Sequence, residues 1–530
     1  MKNLTKNAYY YLLIFGFISI TNNVSAQVWT NANEDQSYVA RHEFGFTQAG
    51  DKFFSFGGRE SPRVLDVYDY TSNTWSNGGM APVDFNHFQA ITYEGLIWVI
   101  GAFKTNEPNP ELNADYIYMY NPASQQWIQG MELPAARKRG AAGLAMHNNK
   151  FYLVGGNVYG HGGGYVAYMD VFDPATGTFT ALTDAPHARD HFHAVVHNDK
   201  LYALGGRLTG GTGGLFAPQV PEVDVYDLNT NIWSTLASSS NIPTPRAGAA
   251  TVLFQNEIYV IGGETTFGSA TGNNGQRDIV EAFNPVTGTW TTKDNLNRDR
   301  HGIQGIVSGG GIHVIAGSSG GTSIKKMEYF GLNNPTGSPN VNSTFAADET
   351  TKTFEYGTNY GSVTIPITLS NSAGTTGTYI DNITISGVNY TLNATYSNLL
   401  LGANQDLMIQ AVLNDTSQNQ SNGNVQVTYN NNTTLNIALE GTLNPTLSIA
   451  NPNDLKTLKV YPNPTKSTFQ INKNISKLRV FDISGKLVKT FHGSFKNNHV
   501  FNISELPQGV YFLKVENASK FSETKKIIKV

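Results

Sequence analysis

The sequence of 530 residues contains no cysteine. This absence excludes disulfide bonds, thiolate metal sites, iron–sulfur clusters and cysteine nucleophiles. Charged residues are also scarce, at 14% against about 25% in an average soluble protein. The apolar run between Tyr9 and Ile20 falls short of the roughly 20 residues that span a bilayer, and no later segment is long or apolar enough. The fold must therefore be held by packing alone.

Glycine, proline and aromatic residues are abundant. The chain has 53 Gly, 21 Pro, 26 Tyr and 28 Phe, a composition typical of a turn-rich all-β protein. With 40% hydrophobic residues, the chain has enough apolar side chains to fill a core, which argues against disorder. At about 100 to 200 residues per domain, the length indicates three or four domains.

Residues 1–26 have the pattern of a secretory signal peptide. Lys2 and Lys6 precede the apolar run, and Val24-Ser25-Ala26 has the small-residue form of a cleavage site. We expect cleavage between Ala26 and Gln27, so the mature chain would function outside the cytoplasm.

A repeat organises residues 27–335. An apolar run that ends in a pair of small residues occurs six times, as KFFSFGG, LIWVIGA, FYLVGG, LYALGG, IYVIGG and IHVIAG. Two aromatic residues seven positions apart follow five of these pairs, as Tyr68 and Trp75 do in the first copy. An arginine lies 16 residues before the small pair in five copies, at Arg41, Arg139, Arg189, Arg246 and Arg300. Phe85 holds this position in the second copy.

These features resemble the kelch repeat, in which each copy of about 50 residues forms one four-stranded blade of a β-propeller. The resemblance predicts an all-β fold with a six-bladed propeller at residues 27–335. Trp29 lies 12 residues before Arg41, as Trp127 lies 12 before Arg139. We therefore expect the mature N-terminus to supply the outer strand of the last blade and close the ring.

Two further modules follow the repeats. Residues 336–446 alternate polar and apolar positions in short Asn- and Thr-rich segments, which predicts an antiparallel β-sandwich. The motifs FEYG, TLSN, ITISG and LEGTL resemble immunoglobulin-like domains of the abnormal-spindle and Hydin type. We interpret this module as a rigid spacer, joined by a linker at 447–454 to the last module.

Residues 455–530 resemble the type A C-terminal sorting domain of the type IX secretion system of Gram-negative bacteria. The motifs YPNP (461–464), DISG (482–485) and LPQGVY (506–511) carry the resemblance. It implies a small β-sandwich without catalysis, contact with the type IX secretion machinery and passage through the periplasm. It also implies removal of this module as the protein is released or anchored at the outer-membrane surface.

The arginines are the first candidate for a binding site. In kelch propellers the innermost strand starts beside the central channel, so the resemblance implies that Arg41, Arg139, Arg189, Arg246 and Arg300 converge on one face. His191 and His301 lie nearby. Guanidinium groups bind carboxylates, sulfates and phosphates, which predicts an anionic glycan or a protein as the extracellular ligand. The alternative is structural, with each arginine tying blades together through backbone carbonyls or Asp and Glu.

No metal or cofactor is assigned. His191 and His193 alternate along a predicted strand and would share one face, but spacing fixes no third ligand, so local hydrogen bonding is the preferred interpretation. The glycine-rich loops lack the G-x-x-x-x-G-K-[ST] pattern of a phosphate cradle.

Two functions remain open from the sequence. The first is a surface-displayed or secreted binding protein without catalysis. The second is a sugar-modifying enzyme, because six-bladed kelch propellers include sialic-acid mutarotases. In that case Glu264 would be a general base if burial raised its pKa, with His191 as the conjugate acid. The absence of cysteine excludes the cofactor of kelch-type galactose oxidases, and the sialidase Ser-x-Asp-x-Gly-x-Thr-Trp turn is missing.

The net charge of -4 conceals two opposite parts. Residues 455–530 carry 14 Lys and Arg against 4 Asp and Glu, a net charge of +10, whereas residues 27–454 carry -16. An acidic cargo argues against nucleic acid as a partner, since phosphate binding requires a basic surface.

Overall fold

The computed structural model describes residues 27–32, 37–60, 62–106, 111–265, 275, 277–357, 361–444, 447, 455, 457–517 and 522–530. Regular structure in these ranges is almost entirely β, with three short 3-10 segments at Ala135–Arg137, Gly160–Gly162 and Ser238–Ser240. None of the described residues belongs to a helix that could cross a bilayer. The expected signal peptide, with the cleavage residue Ala26, and most of the expected linker lie outside these ranges.

The chain up to Gly331 forms short strands in a regular order. They are β1 (Trp29–Asn31), β2 (Gly45–Ala49), β3 (Lys52–Phe56), β4 (Val64–Asp69), β5 (Thr74–Met80), β6 (Ile91–Tyr93), β7 (Leu96–Val99), β8 (Tyr116–Asn121), β9 (Gln126–Glu132), β10 (Gly143–His147), β11 (Lys150–Val154), β12 (Met169–Asp173) and β13 (Thr178–Ala181). The series continues with β14 (Ala194–His197), β15 (Lys200–Ala203), β16 (Asp224–Asp227), β17 (Ile232–Thr235), β18 (Ala250–Phe254), β19 (Glu257–Ile261), β20 (Val280–Asn284), β21 (Thr289–Thr292), β22 (Gly305–Ser308), β23 (Gly311–Ile315), β24 (Ser318–Ser319), β25 (Thr322–Ser323) and β26 (Met327–Gly331).

In the described residues these strands form six antiparallel four-stranded sheets, and β24 and β25 form a separate two-stranded sheet. Five are consecutive meanders, β2 to β5, β6 to β9, β10 to β13, β14 to β17 and β18 to β21. The sixth has the order β1-β26-β23-β22, so its outer strand comes from the N-terminal end of the described chain. Trp29 pairs with Phe330 in that sheet.

The seven-residue aromatic spacing follows from this topology. Tyr68 on β4 and Trp75 on β5 are direct partners across a hairpin, and their ring centroids lie 5.0 Å apart. In the sixth sheet the corresponding pair is Phe330 with Trp29, at 5.5 Å. Phe330 is the equivalent of Tyr68 in this sheet, because it pairs with Ile312 as Tyr68 pairs with Phe53.

Apolar side chains from neighbouring sheets pack together. One buried cluster joins Phe54 and Phe56 of the first sheet to Ile97 and Val99 of the second. The small pairs permit a close approach of backbone at these boundaries. Gly155 has a φ of +64°, and a Cβ there would lie 2.4 Å from the carbonyl oxygen of Arg189 on the next sheet, so a larger residue would force the sheets apart.

The rest of the chain is also β. Its strands are β27 (Thr344–Ala347), β28 (Thr351–Tyr356), β29 (Val363–Ser372), β30 (Thr378–Gly387), β31 (Tyr390–Leu392), β32 (Ser397–Leu401), β33 (Gln405–Leu413), β34 (Gln420–Tyr429) and β35 (Thr433–Leu443). They form a sheet of order β27-β29-β33-β31 and one of order β28-β35-β34-β30-β32. The β28 and β35 pair is parallel.

The C-terminal segment contributes β36 (Val460–Tyr461), β37 (Thr468–Ile471), β38 (Ile475–Phe481), β39 (Leu487–Phe495), β40 (Val500–Asn502), β41 (Gly509–Glu516) and β42 (Ser522–Lys529). Two sheets, β36-β37-β40 and β39-β38-β41-β42, share a core that includes Phe469, Leu478 and Leu513.

By contact density the chain divides into two compact units. One holds the chain up to Thr344 together with Asn371–Asp381 and Ser397–Gln405. The other holds Phe345–Ser370, Asn382–Tyr396 and Asp406–Val530. The candidate site lies in the first unit.

Candidate functional site

The 16-residue arginine spacing reflects a hydrogen bond. Each of the five arginines donates to the backbone oxygen of the first residue of its own small pair, over 2.6 to 2.9 Å. The acceptors are Gly57, Gly155, Gly205, Gly262 and Ala316. The arginine at the start of the first strand therefore fixes the end of the second strand in the same sheet.

Each of these arginines also pairs with a buried carboxylate on the third strand of its sheet. The pairs are Arg41 with Asp66, Arg139 with Asp170, Arg189 with Asp224, Arg246 with Glu281 and Arg300 with Glu328. All five arginines have an exposed fraction of 0%. The predicted ligand-binding role would require an open guanidinium group, and none of the five offers one in this structure. The contacts are those of the structural alternative.

Phe85 shows what happens where the arginine is missing. Its ring packs 5.1 Å from that of Tyr118, which lies on the third strand of the second sheet where the other sheets carry the acid. Both members of the ion pair are thus replaced by aromatic residues, which avoids leaving one charge buried without a partner.

The six sheets meet in a closed ring of backbone hydrogen bonds. The ring residues lie two positions after the arginine register, and each donates its N–H to the carbonyl of the preceding member over 2.6 to 2.8 Å. They are Glu43, His87, Ala141, His191, Gly248 and Gly302. All six have φ between 51° and 63°. This ring marks the mouth of a central channel, because one residue from every sheet reaches it.

Two glutamines close the channel behind the ring. The Gln89 side-chain oxygen accepts from Leu144 N at 2.8 Å and Ala194 N at 3.0 Å, and its Nε2 donates to Ala194 O. Gln304 bonds Phe46 and Ala90 in the same way. These bonds satisfy backbone groups on the inner edges of four sheets, and each glutamine follows a ring residue by two positions.

A histidine cluster lies at this ring. We use that name for Glu43, His87, His161 and His191, each of which has one ligand-type atom within 4.8 Å of the others. A Glu43 carboxylate oxygen lies 2.5 Å from His87 Nε2 and the other lies 3.8 Å from His191 Nε2. Burial lowers the pKa of His87 to about 4. Burial alone would raise the pKa of Glu43, but the adjacent His87 holds it well below its usual range.

A second cluster surrounds Glu264, which follows directly after its small pair. Arg207 contacts one oxygen of the buried Glu264 carboxylate, and His301 Nε2 lies 3.5 Å from the other. Burial raises the pKa of Glu264, but His301 and Arg207 outweigh that effect, so the pKa is lowered. The condition set for a general base, a pKa raised by burial, is therefore not met, because Arg207 and His301 lie against the carboxylate.

Of the site residues predicted from the sequence, His191, His301 and Glu264 reach the channel mouth, and the five arginines do not. Gln27 lies just before β1, and its side chain bonds Gln255. The site residues that were not predicted from the sequence are Glu43, Arg59, Glu111, His161 and Arg207. Arg59 and Arg207 follow directly after small pairs, as Glu264 does, so this position in each copy is the signal that identifies the pocket.

Comparison with known proteins finds two segments of the chain that match family models. Residues 144–338 match the model of the KLHDC2/KLHL20/DRC7 Kelch-repeats domain. Residues 459–530 match the secretion system C-terminal sorting domain. The chain thus carries a kelch-repeat domain and a sorting tail, which indicates secretion or a location on the outer surface in bacteria.

Curated relatives match the repeat region. Kelch-like protein terF of Aspergillus terreus is 25% identical over 304 residues, covering 55% of this chain and 64% of its own. Human Kelch-like protein 23 is 26% identical, covering 50% and 43%. N-acetylneuraminate epimerase of Haemophilus influenzae is 24% identical, covering 54% and 67%. The chain thus spans about half to two-thirds of their lengths. A solved structure described as "Structure of YjhT" aligns with a TM-score of 0.46 and 17% identity, over 55% of this chain and 94% of that one.

Proposed function

We propose that this protein is an exported binding protein without catalysis, built on a six-bladed kelch propeller. The closed ring of six backbone hydrogen bonds carries the proposal, because it brings side chains from separate sheets to one channel mouth. The two sheets of β27 to β35 would form an immunoglobulin-like spacer. Residues 455–530 would direct the protein to the type IX secretion machinery. After export the protein would be released or held at the outer-membrane surface.

The ligand is an acidic sugar or an acidic protein segment. Arg59 extends from the first small pair to the channel mouth, where its guanidinium lies 3.3 Å from Glu111, and its side chain is 33% exposed. A ligand carboxylate can compete with Glu111 for this group. The carboxylates and imidazoles around it supply acceptors and donors for ligand hydroxyls. Arg59, instead of the buried arginines, is thus the residue expected to select an anion.

Saturation-transfer NMR on the mature chain, 27–530, tests this function. We expect N-acetylneuraminate to bind and Arg59→Gln to weaken its binding about tenfold, because a charge-assisted hydrogen bond contributes about 1.5 kcal/mol or more. Lys150→Gln is the matched control. Lys150 pairs with His147 in the hairpin of β10 and β11, at the end of these strands away from the channel mouth. Equal binding by wild type and Arg59→Gln would contradict the site.

A sugar mutarotase of the sialic-acid type is the second candidate. The carboxylate of Glu264 at the channel mouth favours it, as does the similarity to N-acetylneuraminate epimerase. The lowered pKa keeps Glu264 ionised but makes it a weaker base than one matched to neutral pH, so the pKa does not add support. Proton NMR of anomer exchange in N-acetylneuraminate distinguishes the two functions. Exchange faster than in buffer that is lost in Glu264→Gln supports the enzyme, and a rate equal to buffer excludes it.

A further inference from the structure

The histidine cluster holds more nitrogen ligands than sugar recognition requires. Its three rings come from different loops and lie close together, with centroid distances of 4.8 Å between His87 and His191, 5.3 Å between His87 and His161, and 6.1 Å between His161 and His191. The Glu43 carboxylate lies against two of them. Imidazole with a single carboxylate is a ligand set that suits Zn²⁺ and similar divalent transition-metal ions.

The contacts of each ring's Nδ1 indicate which of its two nitrogens carries the proton. His191 Nδ1 lies 2.5 Å from an oxygen of Asp190, and His161 Nδ1 lies 2.8 Å from an oxygen of Glu111. His87 Nδ1 lies 2.5 Å from Asn86 Oδ1. The Asn86 amide orientation is set because its Nδ2 donates to two backbone carbonyls. The Nδ1 atoms of His87 and His191 therefore carry a proton and leave their Nε2 lone pairs available, which is the arrangement that orients metal-bound histidines. His161 Nδ1 faces both the Glu111 oxygen and the Arg59 guanidinium, 2.6 Å away, so this ring reaches the same tautomer only when Arg59 moves aside.

The Nε2 atoms of His87 and His191 are buried, and their side chains are 1% and 3% exposed. His191 Nε2 has no hydrogen-bond partner among the described residues. His87 Nε2 lies 2.5 Å from an oxygen of Glu43, so two lone-pair-bearing atoms face each other unless a proton or a cation lies at this position. The geometry points to a bound cation that satisfies all three atoms at once. We propose that Glu43, His87, His161 and His191 bind one divalent transition-metal ion of the Zn²⁺ class.

The charges around the cluster favour a bound cation, with the exception of one guanidinium group. Glu43, Glu111 and Asp190 place three carboxylates in or next to the cluster. Arg59 opposes them, because its guanidinium lies 2.6 Å from His161 Nδ1 and 2.9 Å from Nε2. Since a third of the Arg59 side chain is exposed, it can turn to solvent when a metal binds. Removing its charge should therefore strengthen metal binding.

Metal titration of the mature chain without a polyhistidine tag tests the site. We expect one Zn²⁺ per chain by calorimetry and elemental analysis after dialysis, a visible absorption band with Co²⁺, and no uptake of Mg²⁺, which prefers oxygen ligands. Zn²⁺ should also raise the melting temperature of the wild type. Glu43→Gln and His191→Gln should lose this binding, whereas His147→Gln, a histidine at the far end of β10, should retain it.

Two further variants test the site if Glu43→Gln or His191→Gln does not fold. Glu111→Gln should weaken Zn²⁺ binding about 10- to 100-fold, as expected for a group that orients a ligand. Arg59→Gln should bind Zn²⁺ more tightly but N-acetylneuraminate more weakly. The same variant can therefore contradict the metal site without contradicting the proposed ligand site, and the reverse. Absence of stoichiometric Zn²⁺ uptake by folded wild type, or unchanged affinity in both variants, would overturn the proposal.

Discussion

At the scale of single residues, the buried arginines stabilise the fold. Arg139 and Asp170 are both fully buried, and their side chains lie 2.7 Å apart. Arg137 also contacts the Asp170 carboxylate, with its Nε at 2.8 Å, so removing Arg139 takes away one of two cations and three hydrogen bonds to backbone oxygens. We expect Arg139→Met to lower the free energy of unfolding by about 3 kcal/mol.

Chemical denaturation of the mature chain measures that loss. The control is Arg63→Met, because the Arg63 side chain is 46% exposed and its pairing with Asp84 is at 3.9 Å. An exposed pair of this kind contributes about 1 kcal/mol or less. Similar effects of the two substitutions would contradict the structural role of Arg139.

His313 gives the propeller region a dependence on pH. It is fully buried on β23, 5.2 Å from the ring of Phe53, and burial lowers its pKa to about 4. The unfolded chain takes up a proton near pH 6.5. Stability is therefore complete above pH 6.5 and is lost as the pH falls toward 4, by at most about 3 kcal/mol.

Denaturation curves of wild type and His313→Leu between pH 4 and 7.5 check this effect. His87 and His193 also have pKa values lowered to about 4 by burial, so the wild type should depend on pH through several groups. The variant should show a shallower slope between pH 4 and 6.5. Identical slopes would show that His313 does not contribute.

The residue scale also shows what the sequence could and could not predict. The arginine register was visible, but its carboxylate partners were not, because loops of variable length separate them from the arginines. The acid lies two residues before the first aromatic of each copy, as Asp66 does before Tyr68 and Glu281 before Phe283. In the copy without arginine that position is Tyr118. The acid therefore lies at a fixed distance from the aromatic residue, whereas its distance from the arginine varies between copies.

At the scale of elements, the inner strands depend on the two channel glutamines. Inner strands are sheet edges, and their backbone groups need partners when no water reaches them. Gln89 supplies three bonds to Leu144 and Ala194. We expect Gln89→Met to cost about 2–4 kcal/mol, since it leaves at least two buried backbone groups unpaired.

Hydrogen exchange by NMR or mass spectrometry locates that effect. Amides of Leu144 and Ala194 should exchange faster in Gln89→Met, whereas Gln126→Met on the exposed start of β9 should leave them unchanged. Protection equal to wild type at both amides would show that the glutamine is not needed. The sequence did not predict this role, because the four residues that share the register are Gly, His or Ala and only Gln304 repeats the glutamine.

Repeat spacing predicted the order of strands well, and it did so because each copy is a local unit whose strands pair with their neighbours in sequence. The pocket was less predictable, since its residues come from positions that differ between copies. Glu43, His87 and His191 occupy equivalent ring positions where the other copies have Ala or Gly. Only the closed ring brings these different side chains together, and a closed ring is a property of the whole molecule.

At the scale of the whole molecule, ring closure depends on β1. This strand starts two residues after the expected cleavage site, pairs with β26 from Trp29 to Asn31, and covers Phe330 with the Trp29 ring. The Asn297 side chain also donates to Trp29 O at 3.0 Å. We therefore predict that export processing cuts close to Gln27, because cleavage a few residues later would remove the strand.

Deletion of residues 27–32 should have two effects. Loss of the buried Trp29 should lower the free energy of unfolding by about 3–5 kcal/mol, and the bare edge of β26 should pair with other chains. Thermal unfolding and sedimentation at several concentrations measure both. Trp29→Phe, which keeps the strand, should be destabilised less and stay monodisperse. If the deletion variant melts with the wild type and does not associate, the ring is closed by contacts other than β1.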